Sequence, residues 1–170
     1  MLKAIMFDLD DTLLWDEKSV KKAFEATCKI AVEQYNIDPE QLEENVRAEA
    51  KKLYESYDTY EFTKKIGTGT FEAFWATYED EGEGFSELQK MVEEFRFKSW
   101  FQGLQEIDIE DKELASKLAE TFPEERKNHI YLYDETIEVL EKLKGKYQLL
   151  MLTNGSPSLQ KLKLSMSPEL

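Results

Sequence analysis

The sequence predicts an α/β protein in which the crossover between two parallel strands contains a long helical insertion. Two short apolar runs, LKAIMF at residues 2–7 and YQLLMLT at residues 147–153, have the composition of strands covered on both faces. Almost the whole chain between them has the three- and four-residue spacing of amphipathic helices. Because strand, helices and strand follow in that order, we expect one parallel, right-handed crossover unit.

The first helices of the insertion are indicated by an apolar face and by a proline. The face follows the first strand, and its members are Val20, Ala23, Phe24, Thr27, Cys28, Ala31, Val32 and Tyr35. A second helix is expected to begin at Pro39, because proline at the first helical position loses no hydrogen bond. Cys28 lies within the apolar face, which favours a buried structural thiol over a reactive one.

Three further helices are predicted in the second half of the chain. One is expected over residues 86–101, and another over residues 111–122, where Pro123 should end it. The last, DETIEVLEKLKGK, should have Asp134 as its N-cap and Gly145 as its stop. This last helix leads directly into the second strand.

The order of these elements predicts a core that the insertion divides in two. At 170 residues, the chain can hold one full-sized domain, or a small core with an insertion. The predicted segments are a first core segment at residues 1–15, a helical insertion at residues 16–129 and a second core segment at residues 130–170. We expect so long an insertion to form its own subdomain.

Charge and composition exclude several classes of protein. The formal net charge of -14 disfavours nucleic acid as a partner, because binding a phosphate backbone requires clustered Lys and Arg. The only cysteine, Cys28, allows neither an intrachain disulfide nor a thiolate zinc site. No apolar run approaches the roughly 20 residues that span a bilayer, and the opening MLKAIMFDLDD reaches acidic residues too early for a signal peptide, so none is expected. We therefore expect a cytoplasmic protein without a membrane partner.

Paired carboxylates follow the first predicted strand. Ligands of open parallel sheets bind beyond the carboxyl ends of the strands, where DLDDT and TNGS both lie. Asp8 and Asp10 should therefore face Thr153 and Asn154 across a crevice. Two like charges this close are unfavourable unless a cation joins them, and a hard cation such as Mg²⁺ suits carboxylate ligands. The structural alternative is an Asp-rich turn that caps the next helix.

The second segment has the groups that bind phosphate. A hydroxyl at Thr153, an amide side chain at Asn154 and backbone N–H groups around Gly155, at a helix start, make a suitable phosphate cradle. Together with a magnesium site at Asp8 and Asp10, this cradle indicates phosphoryl transfer. The predicted chemistry thus combines carboxylates, a cation and a phosphate group at one edge of the sheet.

These segments resemble the first two motifs of the haloacid dehalogenase-like (HAD) superfamily. DLDDT matches the D-x-D-x-T pattern after a first strand, and LTNGS matches a later strand that ends in Thr or Ser. The helical insertion after the first motif resembles that superfamily's type 1 cap, and we call residues 16–129 the cap. The resemblance implies a partial Rossmann-like parallel core that retains two strands.

The resemblance also implies the roles of individual residues. Asp8 would attack phosphorus and form an aspartyl-phosphate, while Asp10 would protonate the leaving oxygen and later activate water. An acid at Asp10 favours a phosphatase over a dehalogenase, which attacks carbon. The implied activity is Mg²⁺-dependent hydrolysis of a small phosphorylated metabolite. The Gly67–Thr70 loop is the candidate cap segment that reaches the substrate, with an ordinary helix-linking turn as the alternative.

The family pattern continues with a lysine and an acidic motif on further strands, which this sequence does not contain. Lys161 and Lys163 lie too near the second motif to take the role of that lysine. We therefore expect a shortened phosphatase with impaired activity. A catalytically silent phosphate-binding or interaction protein and an enzyme with an unorthodox metal site are the alternatives. One edge of the first strand should be bare, which favours homo-oligomerisation through that edge.

Overall fold

The computed structural model describes residues 2–170 and confirms the α/β prediction. Its elements in chain order are β1 (Ala4–Phe7), α1 (Asp16–Gln34), α2 (Pro39–Ser56), α3 (Tyr60–Ile66), α4 (Glu83–Gln105), α5 (Lys112–Asn128), α6 (Thr136–Leu143), β2 (Gln148–Met151) and α7 (Pro157–Ser165). Five helices thus separate β1 from α6, so the insertion is helical as expected, although α3 was not predicted. Within residues 2–170, no helix has the length and apolar character needed to cross a bilayer.

The two strands pair in parallel and bring their carboxyl ends to one edge. The register runs from Ala4 opposite Gln148 to Phe7 opposite Met151, and the Leu152 amide continues the ladder to the Phe7 carbonyl at 2.9 Å. The described sheet has these two strands only. The residues that follow β1 and those that follow β2 therefore emerge side by side, which is the arrangement the sequence predicts.

The cap is organised around a cluster of buried aromatic rings. Phe24 of α1 contacts Phe74, Trp100 and Phe122, and the closest pair of ring centroids, Phe24 to Phe122, is 4.6 Å apart. Cys28 lies one turn further along α1 and is fully buried. Burial raises the pKa of the Cys28 thiol to about 12, which confirms the prediction of a structural thiol rather than a reactive one.

One helix continues past the residue that was expected to end it. The prediction that Pro123 ends α5 is wrong, because the helix extends to Asn128 with the proline inside it. Proline costs the helix one backbone hydrogen bond. The turn beyond it carries Arg126, which is fully buried, pairs with Asp16 of α1 and donates to the His129 carbonyl. These tertiary contacts hold the last turn in place.

The start of α6 also differs from the prediction. Asp134 does not cap this helix, which begins at Thr136 and has no side-chain cap. The Thr136 hydroxyl instead donates to the Leu13 carbonyl at 2.9 Å, and its amide donates to the Tyr133 carbonyl at 3.0 Å. The helix start is thus set by contacts with the chain leaving the first strand. Gly145, with a φ of +79°, follows the end of the helix as predicted.

The chain crosses between core and cap at two adjacent segments. Leu14 and Leu132 form an antiparallel bridge, and the Trp15 amide donates to the Tyr131 carbonyl at 2.8 Å. The Trp15 and Tyr133 rings stack with their centroids 5.1 Å apart. These contacts hold the segment that enters the cap next to the segment that leaves it. The division into units at residues 1–15, 16–129 and 130–170 stays a prediction.

Candidate active site

The four polar residues predicted from the two motifs line one cavity. Asp8 and Asp10 follow β1, Thr153 and Asn154 follow β2, and all four border a cavity of about 280 Å³, which we call the cleft. The parallel pairing of the strands accounts for this arrangement, because both carboxyl ends lie at the same edge of the sheet.

The cap supplies the opposite wall of the cleft. Gly67, Gly69, Thr70 and Glu72 border it, so the candidate loop over residues 67–70 faces the carboxylates. Gly67 has a φ of +72°, and a Cβ atom there would lie 2.8 Å from the Asn154 Cβ atom. Glycine is therefore required at this position for the loop to approach the second motif.

A larger cavity of about 500 Å³ lies elsewhere, against the sheet and α6. Its lining includes Phe7, Leu140, Leu149 and Leu150, and neither Asp8 nor Asp10 borders it. Size alone does not identify a ligand site. The smaller cleft is the candidate because it holds the convergent polar groups that chemistry requires.

A tight turn anchored by leucine presents Asp8 to the cleft. The amides of Leu13 and Leu14 donate to the Leu9 carbonyl at 3.0 and 2.9 Å, and the Leu9 and Leu14 side chains are fully buried. Asp8 itself is exposed, and its Oδ1 atom accepts the Leu9 amide at 2.8 Å. Its Oδ2 atom accepts no hydrogen bond from the described part of the chain. Asp8 therefore has a carboxylate oxygen available to a ligand.

Asp10 is held by two side chains of α7. The Lys163 Nζ atom lies 2.9 Å from both carboxylate oxygens, and the Gln160 Nε2 atom donates to Oδ2 at 2.8 Å. The Asp10 side chain is 27% exposed, so part of it still faces the cleft. The two neighbouring carboxylates thus differ in environment, since Asp8 is accessible and Asp10 is held in one orientation.

Capping of α1 falls to the third carboxylate of the motif. The Asp11 Oδ1 atom accepts the Glu17 amide at 3.0 Å, and Asp11 has a φ of +51°. Among the three carboxylates of the described motif, only Asp11 accepts an amide of α1, so capping of that helix does not account for Asp8 and Asp10.

Gln160 is a site residue that the sequence did not indicate, and Lys163 is one that was considered from the sequence and set aside. Lys163 is fully buried, and its Nζ atom also contacts the Glu72 Oε1 atom at 2.8 Å. Burial favours the neutral amine, but the carboxylates of Glu72, Asp16 and Asp10 outweigh it and raise the pKa of Lys163 above its ordinary value. The available signal was their spacing of three residues, which places both side chains on one face of a helix.

The second motif is ordered by Gln160 as well. The Gln160 Nε2 atom donates to the Thr153 Oγ1 atom at 2.8 Å and to the Asn154 carbonyl at 2.7 Å. The Gly155 amide donates to the Ile66 carbonyl at 2.8 Å and so ties the motif to the cap. That Gly155 binds phosphate stays a prediction. Its amide could bind a phosphate group only if the hydrogen bond to the Ile66 carbonyl were broken.

The start of α7 is already occupied by a carboxylate from the cap. The Ser158 amide donates to the Asp80 Oδ1 atom at 2.8 Å, and the Ser156 and Ser158 hydroxyls donate to Oδ2. The amide of Ser158 at this helix start is therefore already hydrogen-bonded. Asp80 stabilises the helix start electrostatically, as an anion does at that position.

A second buried ion pair lies beside the cleft. Asp16, which borders the cleft, pairs with Arg126, whose guanidinium lies 4.6 Å from the Trp75 ring centroid. Burial raises the pKa of Asp16 even though Arg126 opposes that shift, and burial lowers the pKa of Arg126.

The charges of the cleft favour a cation together with a phosphate. Asp8, Asp10, Asp16 and Glu72 all border it, while Lys163 is buried and already paired. A phosphate group would meet net negative charge unless a cation accompanied it.

The residues described fit a magnesium ion only in part. Within residues 2–170, no group of three or more His, Cys, Asp and Glu side chains is arranged to hold a metal. Mg²⁺ is commonly held by one or two carboxylates with water and substrate phosphate, and Asp8 fits that role. The Asp10 oxygens already accept hydrogen bonds from Lys163 and Gln160. Asp10 as a metal ligand stays a prediction.

Comparison with known proteins places these features in a family. The model of the haloacid dehalogenase-like hydrolases matches residues 2–167. A phosphoserine phosphatase of Thermus thermophilus is 32% identical over 164 residues, which are 96% of this chain and 62% of that protein. The solved structure of the HAD hydrolase YfnB from Bacillus subtilis, bound to magnesium, has a TM-score of 0.57 and 14% identity, covering 99% of this chain and 61% of its own. The chain thus spans less than two thirds of the length of either protein.

Proposed function

This chain belongs to the haloacid dehalogenase-like hydrolase family, and we propose that it is a phosphatase that cleaves a small phosphate ester through an aspartyl-phosphate on Asp8. The observation that best supports this is the pairing in one cleft of an accessible carboxylate, Asp8, with an oriented one, Asp10. Covalent catalysis needs a nucleophile and a separate acid, and the two environments suit those tasks.

The reaction takes two displacements at phosphorus. An Asp8 oxygen forms a bond to phosphorus as the bond from phosphorus to the ester oxygen breaks, and Asp10 gives its proton to the leaving oxygen. Water then attacks the phosphorus of the aspartyl-phosphate and gives a proton back to Asp10, which releases phosphate and restores the Asp8 carboxylate.

Magnesium is the proposed cofactor, with Asp8 as its protein ligand. When bound, the ion would neutralise the charge of the phosphate next to the carboxylates of the cleft. The negative lining of the cleft supports this proposal. The magnesium bound to the Bacillus subtilis protein, which has the same fold, is in agreement with it.

The substrate is proposed to be a small phosphorylated metabolite. The cleft of about 280 Å³ suits a compact ester, and the loop over residues 67–70 closes it from the cap side. The name of the Thermus thermophilus relative makes phosphoserine the first substrate to test. Thr153 and Asn154 are proposed to bind the phosphate group.

Release of phosphate from phosphoserine and from p-nitrophenyl phosphate, with and without Mg²⁺, tests the proposal. We expect Mg²⁺-dependent release that Asp8→Asn abolishes. The matched control is Asp11→Asn, which keeps an oxygen able to accept the Glu17 amide and should retain activity. Hydrolysis that persists in Asp8→Asn would contradict the assignment of the nucleophile.

Binding of a phosphorylated ligand without turnover is a second candidate function. It is favoured by one observation, the engagement of both Asp10 oxygens by the Lys163 ammonium. In that case calorimetry would detect phosphoserine binding in the presence of Mg²⁺ while no phosphate is released. Asp10→Asn would then leave the affinity largely unchanged.

A further inference from the structure

Lys163 is a buried cation to which the proposed chemistry assigns no task. Its side chain has no exposed surface, and its Nζ atom bridges Asp10 of the core and Glu72 of the cap at 2.9 and 2.8 Å. A buried ammonium is tolerated only when it is paired and hydrogen-bonded. Here the partners come from the two different parts of the molecule that form the cleft.

The cap partner of Lys163 is itself fixed in orientation. The Glu72 Oε2 atom accepts from the Thr68 hydroxyl at 2.7 Å and from the Gly69 amide at 2.9 Å. Its Oε1 atom is thereby directed to Lys163. The loop that lines the cleft and the ammonium that holds Asp10 are thus parts of one connected network.

Asp10, the partner of Lys163 in the core, accepts side-chain hydrogen bonds from a single helix. Gln160 and Lys163 of α7 both donate to Asp10, and in residues 2–170 no other side chain does so. Gln160 also holds the Thr153 hydroxyl. A displacement of α7 or of Lys163 would therefore change the orientation of Asp10 directly.

We propose that Lys163 is a positioning residue that couples closure of the cap to the orientation of Asp10. With Glu72 docked, the ammonium is held where it directs the Asp10 carboxylate; with Glu72 withdrawn, Lys163 loses one of its two anionic partners and Asp10 loses its fixed orientation. Lys163 does not border the cleft, so it acts through Asp10 and not on the substrate. The catalytic part of this inference rests on the proposed phosphatase function.

Four variants test the coupling. Lys163→Met removes the charge at similar length, Lys163→Arg keeps it, and Glu72→Gln removes the negative charge of the cap partner while keeping an oxygen that can accept hydrogen bonds. Lys161→Met is the matched control, because Lys161 is an exposed lysine of the same helix. If Lys163→Met fails to fold, Lys163→Arg and Glu72→Gln keep the proposal testable.

The first measurement follows the Lys163 ammonium directly by proton–nitrogen correlation NMR and needs no activity. We expect a protected ammonium signal in the unaltered protein that is absent in Lys163→Met and exchanges faster in Glu72→Gln, with changed signals at Gln160 in both. Lys161→Met should leave all of them in place. Unchanged Lys163 and Gln160 signals in Glu72→Gln would overturn the coupling.

The second measurement is the steady-state hydrolysis of the phosphate ester. Misplacement of a general acid should lower kcat by about 10- to 100-fold with a smaller change in KM. Lys163→Arg should recover part of that loss, and Glu72→Gln should be intermediate. An unchanged kcat in folded Lys163→Met would overturn the positioning role. If the unaltered protein hydrolyses nothing, the proposed function fails, and the NMR measurement still decides whether cap and Asp10 are coupled.

Discussion

Phe24 in the cap is fully buried among aromatic rings, whereas Met6 in the middle of β1 is 65% exposed. The same contrast holds more widely: the large apolar cluster of buried residues belongs almost wholly to the cap, and the core has a small cluster around Leu9, Leu13 and Leu14. Asp8 and Asp10, the proposed catalytic carboxylates, follow this partly exposed strand. The cap therefore supplies most of the packing, while the core supplies the proposed chemistry.

This difference explains how a two-stranded sheet can hold a site. Two strands alone are marginally stable. Here the ends of the strands are tied to the cap by Gly155 to Ile66, by Asp80 to α7, and by Lys163 to Glu72. The cap thus stabilises the end of the sheet that borders the cleft. Elsewhere on the sheet, the apolar side chains of Met6 and Leu150 stay exposed.

The largest effect is expected from removing the ring at the centre of the cap. Phe24→Ala should lower the free energy of unfolding by about 3–5 kcal/mol, because it leaves a cavity among packed rings. Urea denaturation followed by circular dichroism measures the change. Met6→Ala is the matched change in the core, and we expect it to cost well under half as much. Equal losses in the two variants would contradict the contrast between the regions.

A smaller effect is expected where two cap helices touch. A Cβ atom at Gly103 of α4 would lie 2.3 Å from the Val46 Cγ2 atom and 2.9 Å from its Cα atom in α2. Gly103→Ala should therefore destabilise the protein by about 1–3 kcal/mol through overpacking. Gly69→Ala is the control in terms of space, since nothing lies within 4 Å of that position. Thermal unfolding of both variants measures the change in Tm. Equal changes in the two variants would show that the contact between α2 and α4 can relax to accept the added methyl group.

The buried thiol predicts an alkaline loss of cap stability. The pKa of Cys28 is raised to about 12 in the folded chain by burial, whereas an unfolded thiol titrates near about 8.5. The stabilising contribution is present below the unfolded value and is lost as the pH rises towards the folded one. The unfolding free energy should fall by about 1 kcal/mol more between about pH 8.5 and 9.5 than it does in Cys28→Ala. Parallel pH profiles of the two proteins would contradict the burial of the thiol.

The smallest effect on stability is expected at the open surface of the sheet. Met6→Lys should change the free energy of unfolding by no more than about 0.5 kcal/mol, as is usual for exposed positions. We propose that copies of the chain associate through the exposed edge of β1, which contains Met6. Met6→Lys should therefore reduce self-association measured by light scattering. Val32→Lys, at an exposed apolar position of the cap, should leave association unchanged. Association that Val32→Lys reduces and Met6→Lys does not would locate the contact on the cap.

Local patterns in the sequence were sufficient to predict the strands, their pairing and the placement of Asp8, Asp10, Thr153 and Asn154 in one cleft. Each of those predictions depends on periodicity or on the geometry of parallel strands, which are local or general properties. The helix end at Asn128 could not be predicted this way, because Arg126 stabilises it through a residue of α1. Long-range pairing of this kind leaves no local signal.

The contacts of the site residues were likewise hidden from the sequence. Lys163 is 91 residues from Glu72 and 153 from Asp10 along the chain, so its two partners become evident only after folding. Lys163 was set aside because it lies so near the second motif in sequence, and the structure places its ammonium against Asp10. Proximity of charges in space, and not their spacing in sequence, determines which residues form the site.

Direct detection of the covalent intermediate tests the central claim, that Asp8 is a nucleophile. The protein would be mixed with phosphoserine and Mg²⁺, reduced with borohydride, which converts an acyl phosphate to an alcohol, and digested for mass spectrometry. We expect homoserine at position 8 and none at position 10, with no signal in Asp8→Asn. Phosphate release without modification of Asp8, or modification at Asp10, would contradict it.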